Sequence, residues 1–436
     1  MFGKARKAWA WGILVIPDFL LLYLALFAAL VIRFGEWPDA IRWMAHIRVF
    51  SPVFILWLLV FFIHGLFEAK TLRRFGSLLF NAVSAMVVNV LIAIVYFYIQ
   101  PNFVLTPRRV LLIDAVLTLG LIISWHIVIQ ALLKRRFTQG VFILSKTNEL
   151  SDLVHEIRVN PYLGFVITEQ LTPETLDTNA IPDNAVIVFP DGMAAQPSVL
   201  QKLYTLRTRG VTFTYHRDFY EDLLRRITLS ELGEEWFLEN IDYQHKRLYN
   251  LLKRTIDICA GLFGFIVYVI SYPFFAALIV TTSPGSALFK QLRVGQHGRI
   301  FRVYKYRTMS GGVTDTWTIP NDPRITRVGR ILRKLRIDEL PQCINLLRGE
   351  MSLVGPRPEQ VHIVEKLRSQ IPFFDERHLV KPGITGWAQL NVYAGSLEET
   401  KLKLQYDLYY IKNRSLLFDL EIMLKTIYYI FTWSGR

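Results

Sequence analysis

Four apolar runs, at about residues 11–32, 50–67, 77–100 and 110–133, dominate the first third of the chain. Each approaches the ~20 residues that a helix needs to cross the hydrocarbon core of a bilayer, and together they predict a four-helix transmembrane bundle over residues 1–137. From Gln139 the pattern shortens to β-rich runs, VFILS, GFVIT, AVIVF and VTFTY, separated by polar stretches of helical spacing. This predicts a small α/β domain with a parallel sheet over residues 138–225. Residues 226–250, acidic at Glu231, Glu234 and Glu235 and then basic at His245, Lys246 and Arg247, read as a linker returning the chain to the membrane. A fifth apolar stretch, about 255–280, opens the last part of the chain, residues 251–436, and carries Ser271 and Pro273 near its middle. Proline removes a helix hydrogen bond and clashes with the preceding turn, so a bend is expected there.

Charge decides how these spans are oriented. Basic clusters at Lys4, Arg6 and Lys7, at Lys70, Arg73 and Arg74, and at Lys134, Arg135 and Arg136 alternate with loops holding Glu36 and Asp39, which places both ends of the bundle in the cytoplasm. Both flanks of the 255–280 stretch are basic as well, so it is expected to re-enter on the side it left rather than to span. The broken backbone of such a segment must be braced by protein. Asp114 lies inside the fourth span, where a carboxylate either marks a function or pairs locally.

Composition adds two exclusions. A chain of 436 residues that is 52% hydrophobic and 14% aromatic is too apolar for a purely soluble protein. Its two cysteines, Cys259 and Cys343, have no metal-type spacing and form no disulfide framework. The N-terminal apolar run lacks a small-residue cleavage site, so an anchor is expected rather than a removed signal peptide. Of the net charge of +14, the segment from Leu251 onward carries +11, from 26 Lys/Arg against 15 Asp/Glu. Such a field suits phosphates, anionic headgroups or nucleic acid, and charge alone does not choose.

Chemistry concentrates in four strings: KQLRVGQHGRIFRVYKYRTM (290–309), NDPRITRVGRILRKLRIDELPQCINLLRGEMSLVGPRPE (321–359), VKPGITGWAQLN (380–391) and YDLYYIKNRSLLFDL (406–420). In the second, Ile325, Val328, Ile331, Leu332 and Leu335 recur at helical spacing and predict a buried face. Arg324, Arg327, Arg330, Arg333 and Arg336 recur every third residue and make a cationic side, for anionic lipid or for phosphate. Asp338 and Glu339 follow, with Leu340 and Pro341, as expected at the start of a helix with Asp338 as N-cap. Among Arg333, Lys334 and Arg336 an Asp338 carboxylate should stay ionised, available as nucleophile or metal ligand. An adjacent acidic pair suits a divalent cation of the magnesium type. Arg357, between two prolines, is a stiffly mounted guanidinium for a phosphate. Trp387 and Gln389 follow the PGITG turn and either meet a base or sugar or simply pack. Tyr406, Tyr409, Tyr410, Ile411, Leu416, Leu417 and Phe418, mixed with Lys412 and Arg414, suit a membrane interface.

The segment from Lys253 to the end resembles the bacterial sugar transferase family, the monotopic polyprenyl-phosphate phosphoglycosyl transferases. The resemblance rests on RVG, YKYRTM, DPR, DELPQ, GEMSLVGPRP and KPGITGWAQ, in that order. The whole chain is similar to the larger members, which place four transmembrane helices and a truncated Rossmann-like domain before a mixed α/β, mainly helical catalytic domain with a re-entrant membrane helix. The resemblance implies transfer of a hexose 1-phosphate from a UDP-hexose to undecaprenyl phosphate, with release of UMP, as an early step of exopolysaccharide, capsule or O-antigen synthesis. It implies Asp338 as nucleophile through a covalent aspartyl-phosphosugar, Glu339 as its partner, and a Mg²⁺ requirement with the metal on Asp338 and Glu339. Lys305, Arg307, Arg327, Arg333, Arg357 and Gln389 are the candidate substrate ligands. Expected partners are the two substrates and membrane lipids, without nucleic acid, and homo-oligomers are compatible with it. The expected location is the bacterial inner membrane with the catalytic domain on the cytoplasmic face. Members usually carry an adjacent Ser-Pro pair at the helix break, whereas here Tyr272 separates Ser271 from Pro273. Two other readings are a membrane-anchored nucleotide-sugar dehydratase, against which stands the lack of glycine in ILSKTNELSDLV after the first strand, and a non-catalytic assembly scaffold. On the transferase reading every motif with a chemical role lies after Lys253.

Overall fold

The computed structural model describes residues 2–67, 75–99, 108–136, 139–144, 151–159, 165–183, 185–190, 197–229, 232–241, 246–310, 322–392 and 396–431. These fall into two compact units, Met1–Leu223 and Leu224–Arg436. The side chains of the three basic clusters at residues 4–7, 70–74 and 134–136, the turn following the first strand, and Glu231 and His245 lie outside what is described.

The first unit begins with four apolar helices, α1 (Phe2–Phe34), α2 (Ala40–Ile63), α3 (Phe75–Ile99) and α4 (Arg108–Arg136). All four are long and apolar enough to cross a membrane, as is one further helix in the second unit. Helix α2 starts ten residues before its apolar run, because Asp39 accepts from Arg42 N at 2.7 Å as N-cap and Arg42 pairs with Glu36 at 2.9 Å. Aromatic residues Phe50, Phe54 and Trp57 fill the bundle with Leu22, Leu26 and Leu30. Asp114 is fully buried, not at a snorkelling position, and a second buried polar contact, His126 Nε2 to Asp18 at 3.0 Å, joins α4 to α1. A four-stranded parallel sheet follows, ordered β2 (Phe165–Leu171), β1 (Gln139–Leu144), β3 (Val186–Phe189), β4 (Thr212–Tyr215). The strand β3, and β1 from Val141 on, are apolar because they lie inside the sheet, with Leu203 and Leu206 packed on it.

The second unit begins earlier than the chemical motifs. The stretch expected as a linker instead supplies Ile227, Trp236 and Ile241 to a core shared with Val354, Phe374, Trp387, Leu408 and Phe418. Arg225 extends this attachment: its guanidinium lies 4.4 Å from the Trp387 ring and 4.9 Å from Phe418, and donates to both oxygens of Glu421 at 2.6 and 2.9 Å. Ile227 N also donates to Gln405 O at 3.1 Å. The charges of this stretch are conspicuous in sequence, while its three core residues are too widely spaced to form a periodic pattern.

After the short helices α5 (Ser151–Val159), α6 (Pro197–Arg207), α7 (His216–Leu224) and α8 (Glu234–Asn240), one long helix, α9 (Arg247–Thr282), runs through Pro273 and is tied to the rest of the second unit along its first half. Arg254 donates to the carbonyls of Leu346 and Leu347 at 2.6 and 2.8 Å, at the C-terminal end of the short helix α11 (Cys343–Arg348). Asp257 accepts from Ser352 Oγ and Leu353 N at 3.0 and 2.8 Å. A methyl group on Gly261 would come within 3.0 Å of Leu347 and one on Gly264 within 3.2 Å of Cys343, so the small residues allow the two helices to approach closely. Further on, Tyr306 sits among Tyr268, Tyr272 and Phe275 with ring centroids 5.7–6.3 Å apart, and Ser271 Oγ donates to Val267 O at 2.7 Å. Tyr306, a residue of the YKYRTM string, thus packs against the residues on either side of Pro273, and the helix continues through that proline.

Two outcomes are expected from this packing. Trp236 is 2% exposed, and Trp236→Ala should cost the second unit about 3–5 kcal/mol, read as a lower unfolding midpoint of the full chain in detergent. An unchanged midpoint would restore the linker reading. Burial alone would raise the Glu421 carboxyl, but Arg225 and then Lys425 bring it down to about 2. A depressed folded pKa stabilises above the unfolded value of about 4.3, so this contribution is complete at neutral pH and lost as pH falls from there towards 2. Glu421→Gln should therefore destabilise at pH 7 and flatten the acid limb of the stability curve.

Candidate active site

An antiparallel hairpin, β5 (Leu288–Val294) and β6 (Ile300–Tyr306), forms one wall. By period-two alternation Lys305 shares a face with the buried Phe301 and Val303, so its ammonium is directed into the unit. The buried Asn345 of α11 fixes this strand: it donates to Arg302 O at 2.7 Å and accepts from Tyr304 N at 3.3 Å. Sequence reading missed Asn345, since an amide that replaces a strand partner has no motif.

The arginine-rich segment forms helix α10 (Arg327–Lys334), N-capped by Thr326, which accepts from Gly329 N at 2.9 Å. A Cβ on Gly329 would stand 2.1 Å from Thr308 O, so only glycine lets α10 lie on the end of the hairpin. The expected buried stripe is narrower than its spacing implies. Leu332 is buried, but Ile331 is 60% and Leu335 47% exposed, because α10 ends after about two turns. Arg336 then adopts a left-handed conformation, φ 56°, and a 3₁₀ turn, Ile337–Gln342, leads directly into α11. Asp338 and Glu339 lie within this turn. Asp338 is consequently not an N-cap; the reversal at Arg336 turns the dyad inward, and both carboxylates are only 8% exposed.

Charge is distributed unequally over the pair. Glu339 Oε1 accepts from Lys305 Nζ at 2.9 Å and from Arg357 Nη2 at 3.1 Å. Burial opposes its ionisation, but Lys305, Arg357 and Arg336 together hold Glu339 well below the usual carboxylate range. Asp338 moves the other way: burial and the Glu339 charge raise it, against Lys305, Arg333 and Arg336. The surrounding arginines therefore moderate the shift without reversing it, in contrast to the sequence expectation. The Arg357 guanidinium is held in its charged form chiefly by Glu339. Asp338 Oδ1 is buried and has no hydrogen-bond partner among the described residues.

The remaining candidates separate. Lys305 and Arg357 converge on Glu339, and Arg333 Nε donates to Thr308 Oγ1 at 2.8 Å. Arg307 does not join them: it donates to Ser283 O and Pro284 O at 2.5 and 2.7 Å, closing the C-terminal end of α9. Arg327 is exposed on the first turn of α10. Gln389, in the short helix Trp387–Asn391, donates to Ile384 O at 3.1 Å, and its Oε1 is buried without a partner among the described residues. Trp387 is a core residue under Arg225. Tyr409, Tyr410, Ile411 and Phe418, expected at a membrane interface, are core too, whereas Leu417 is 80% exposed.

No group of three or more His, Cys, Asp or Glu positioned for a metal occurs among the described residues. Two adjacent carboxylates, one with an unsatisfied buried oxygen, nevertheless fit Mg²⁺, which commonly takes one or two protein carboxylates and completes its shell with water and substrate phosphate.

Comparison with known proteins places this geometry. A family model described as bacterial sugar transferase matches residues 248–433. A UDP-N-acetylgalactosamine-undecaprenyl-phosphate N-acetylgalactosaminephosphotransferase of Aeromonas hydrophila is 45% identical over 233 residues, 51% of this chain and 53% of that protein. A UDP-glucose:undecaprenyl-phosphate glucose-1-phosphate transferase of Escherichia coli (strain K12) is 41% identical over 184 residues, 41% of this chain and 40% of that protein. The chain thus matches about half the length of these two relatives or less. The exopolysaccharide production protein PSS of Rhizobium leguminosarum bv. phaseoli is 38% identical over 190 residues, 41% of this chain but 94% of that protein. With nearly the whole of one relative matched, and with the family segment containing the dyad and its two cationic partners, Lys305 and the proline-flanked Arg357, this chain belongs to the bacterial sugar transferase family.

Proposed function

We propose that the chain transfers a hexose 1-phosphate from a UDP-hexose to undecaprenyl phosphate in exopolysaccharide, capsule or O-antigen assembly. The observation that carries this is the asymmetric dyad: Glu339 fixed and charged between Lys305 and Arg357, beside an Asp338 oxygen with no partner among the described residues. The names of the relatives support a UDP-sugar and undecaprenyl phosphate as substrates, and divide between glucose and N-acetylgalactosamine. Asp338 Oδ1 attacks the phosphorus bearing the sugar, and the phosphoanhydride bond breaks with UMP as leaving group. The phosphate oxygen of undecaprenyl phosphate then attacks the same phosphorus, breaks the aspartyl bond and leaves as the sugar diphospholipid. Lys305 and Arg357 lie where negative charge gathers on the transferred phosphoryl group, and Glu339 keeps both cations oriented. Held by Asp338 and Glu339, Mg²⁺ when bound supplies charge neutralisation for the substrate phosphates.

The surrounding architecture is part of the same reading. Residues 1–137 are the membrane bundle, 138–225 a truncated Rossmann-like scaffold, and α9 a re-entrant helix that turns at Ser271–Pro273 and keeps the catalytic part on the cytoplasmic face of the inner membrane. In support, both flanks of its apolar stretch are basic, Pro273 removes a helix hydrogen bond near its middle, and its first half is fastened to α11 and to Ser352 and Leu353.

Asp338→Asn should lower turnover by about a thousandfold or more while the protein still inserts and melts as wild type, assayed by UMP release with undecaprenyl phosphate and Mg²⁺. A variant keeping several per cent of the rate would exclude Asp338 as nucleophile. Cysteines replacing Arg247 and Lys290 should both react with an impermeant thiol reagent only from the cytoplasmic side, after Cys259 is replaced. Labelling of either one from outside would make α9 a spanning helix.

A further inference from the structure

Arg357 is mounted on a turn whose backbone is fixed entirely through its acceptors. Pro356 and Pro358 have no N–H, yet the four consecutive carbonyls from Pro356 to Glu359 each receive a hydrogen bond. Gly383 N donates to Pro356 O at 2.9 Å, Arg377 Nη2 to Arg357 O at 3.0 Å, Arg293 Nη1 to Pro358 O at 2.7 Å and Val294 N to Glu359 O at 3.0 Å. Two of these donors are side chains, and the one on Arg357 itself comes from Arg377.

Arg377 is built in rather than accidental. Its side chain is 2% exposed, the nitrogen that holds Arg357 O also donates to Asp407 Oδ2 at 2.7 Å, and Nη1 lies 3.7 Å from Glu359 Oε1. The guanidinium rests on the Phe374 ring at 5.1 Å. Glu359 also accepts from Lys403, so two carboxylates and two cations close around this one carbonyl. Buried ion sets of this kind are poor sources of stability compared with apolar packing of the same volume, which directs attention to the geometry they fix.

We propose that Arg377, clamped by Asp407 and Glu359, is a positioning residue for phosphoryl transfer: it fixes the Arg357 carbonyl and thereby aims the Arg357 guanidinium at the reacting phosphate beside Glu339. This rests on the transferase reading of the dyad. A lysine at 377 keeps the charge but is one atom shorter and lacks the second fork nitrogen that faces Glu359, so it does not hold Asp407, Glu359 and the carbonyl together, and Arg357 gains freedom while the core stays paired.

A double-mutant cycle on the full chain in detergent separates aiming from scaffolding. Arg377→Lys should lower kcat/KM with UDP-sugar by about tenfold in the wild-type background and by less than about twofold when Arg357 is already alanine, because Arg377 then has nothing to aim. Equal fold losses in both backgrounds would overturn the proposal and leave Arg377 a scaffold residue. Should Arg377→Lys melt well below wild type, Asp407→Asn, which keeps an acceptor for Arg377 but weakens the clamp, enters the same cycle with the same two outcomes. Wild-type UMP release measured alongside keeps the claims apart: its absence removes the transferase reading, whereas turnover with an additive cycle removes only the role of Arg377.

Discussion

The second unit is organised around one carboxylate that must stay charged where water is scarce. Glu339 is nearly buried, and its ionisation survives only because Lys305 and Arg357 reach the same oxygen, 2.9 and 3.1 Å away. Burying three charges is costly unless each is held close to its optimum, since attraction within the set must offset the desolvation of all three. The two cations come from different places, a β-strand and a proline-flanked turn, and neither position can be adjusted by the dyad itself. Asn345 splinting β6 and the bonded carbonyls of the 356–359 turn are then parts of one requirement. The asymmetry follows: with Glu339 bearing the charge, Asp338 beside it is pushed towards protonation, leaving an oxygen with no partner among the described residues.

The same turn of chain is coupled to the long apolar helix. Helix α11, which continues directly from the dyad, receives Arg254 at its C-terminal carbonyls and packs against Gly261 and Gly264, while Asp257 binds Ser352 and Leu353 just before the GPRP turn. Arg307 closes the far end of the helix and Tyr306 packs beside Pro273. Lys305, Tyr306 and Arg307 are consecutive, so one short strand end contributes a charge to the dyad, a ring to the helix beside Pro273 and a cap to the helix terminus. This shared anchorage fixes the dyad relative to the long apolar helix.

How much of this was legible depended on the range of the interactions. The dyad, the arginine between prolines and the apolar helices are local features: the helices form where the apolar runs lie, and Arg357 meets Glu339. Turn geometry was not legible: a left-handed Arg336 is invisible in a run of helix formers, so Asp338 was expected as a cap and the stripe through Ile331 and Leu335 as buried. Arg307 misled for a related reason, since an arginine two residues after Lys305 in a basic motif looks like a phosphate ligand until the helix end it closes is known. Pairs such as Arg377 with Asp407 or Arg225 with Glu421 join residues 30 and 196 positions apart, and nothing in the spacing of either residue announces its partner.

The lower limit of the family segment does not coincide with the lower limit of the packed unit. Nearly the whole of the Rhizobium relative is matched by 41% of the chain, and the family model begins at residue 248. Here, however, the residues immediately upstream occupy the core: Ile227, Trp236 and Ile241 pack among residues of the family segment, and Arg225 lies on Trp387, inside the KPGITGWAQ motif, while paired with Glu421. Removing residues 224–246 would uncover those aromatic surfaces and leave Glu421 with Lys425 as its remaining partner. The functional boundary inferred from chemistry, near Lys253, and the physical boundary set by packing, at Leu224, therefore differ by about thirty residues. The chemistry can be contained in the shorter segment while its stability is not, because packing is decided by which apolar faces must be covered rather than by which groups react.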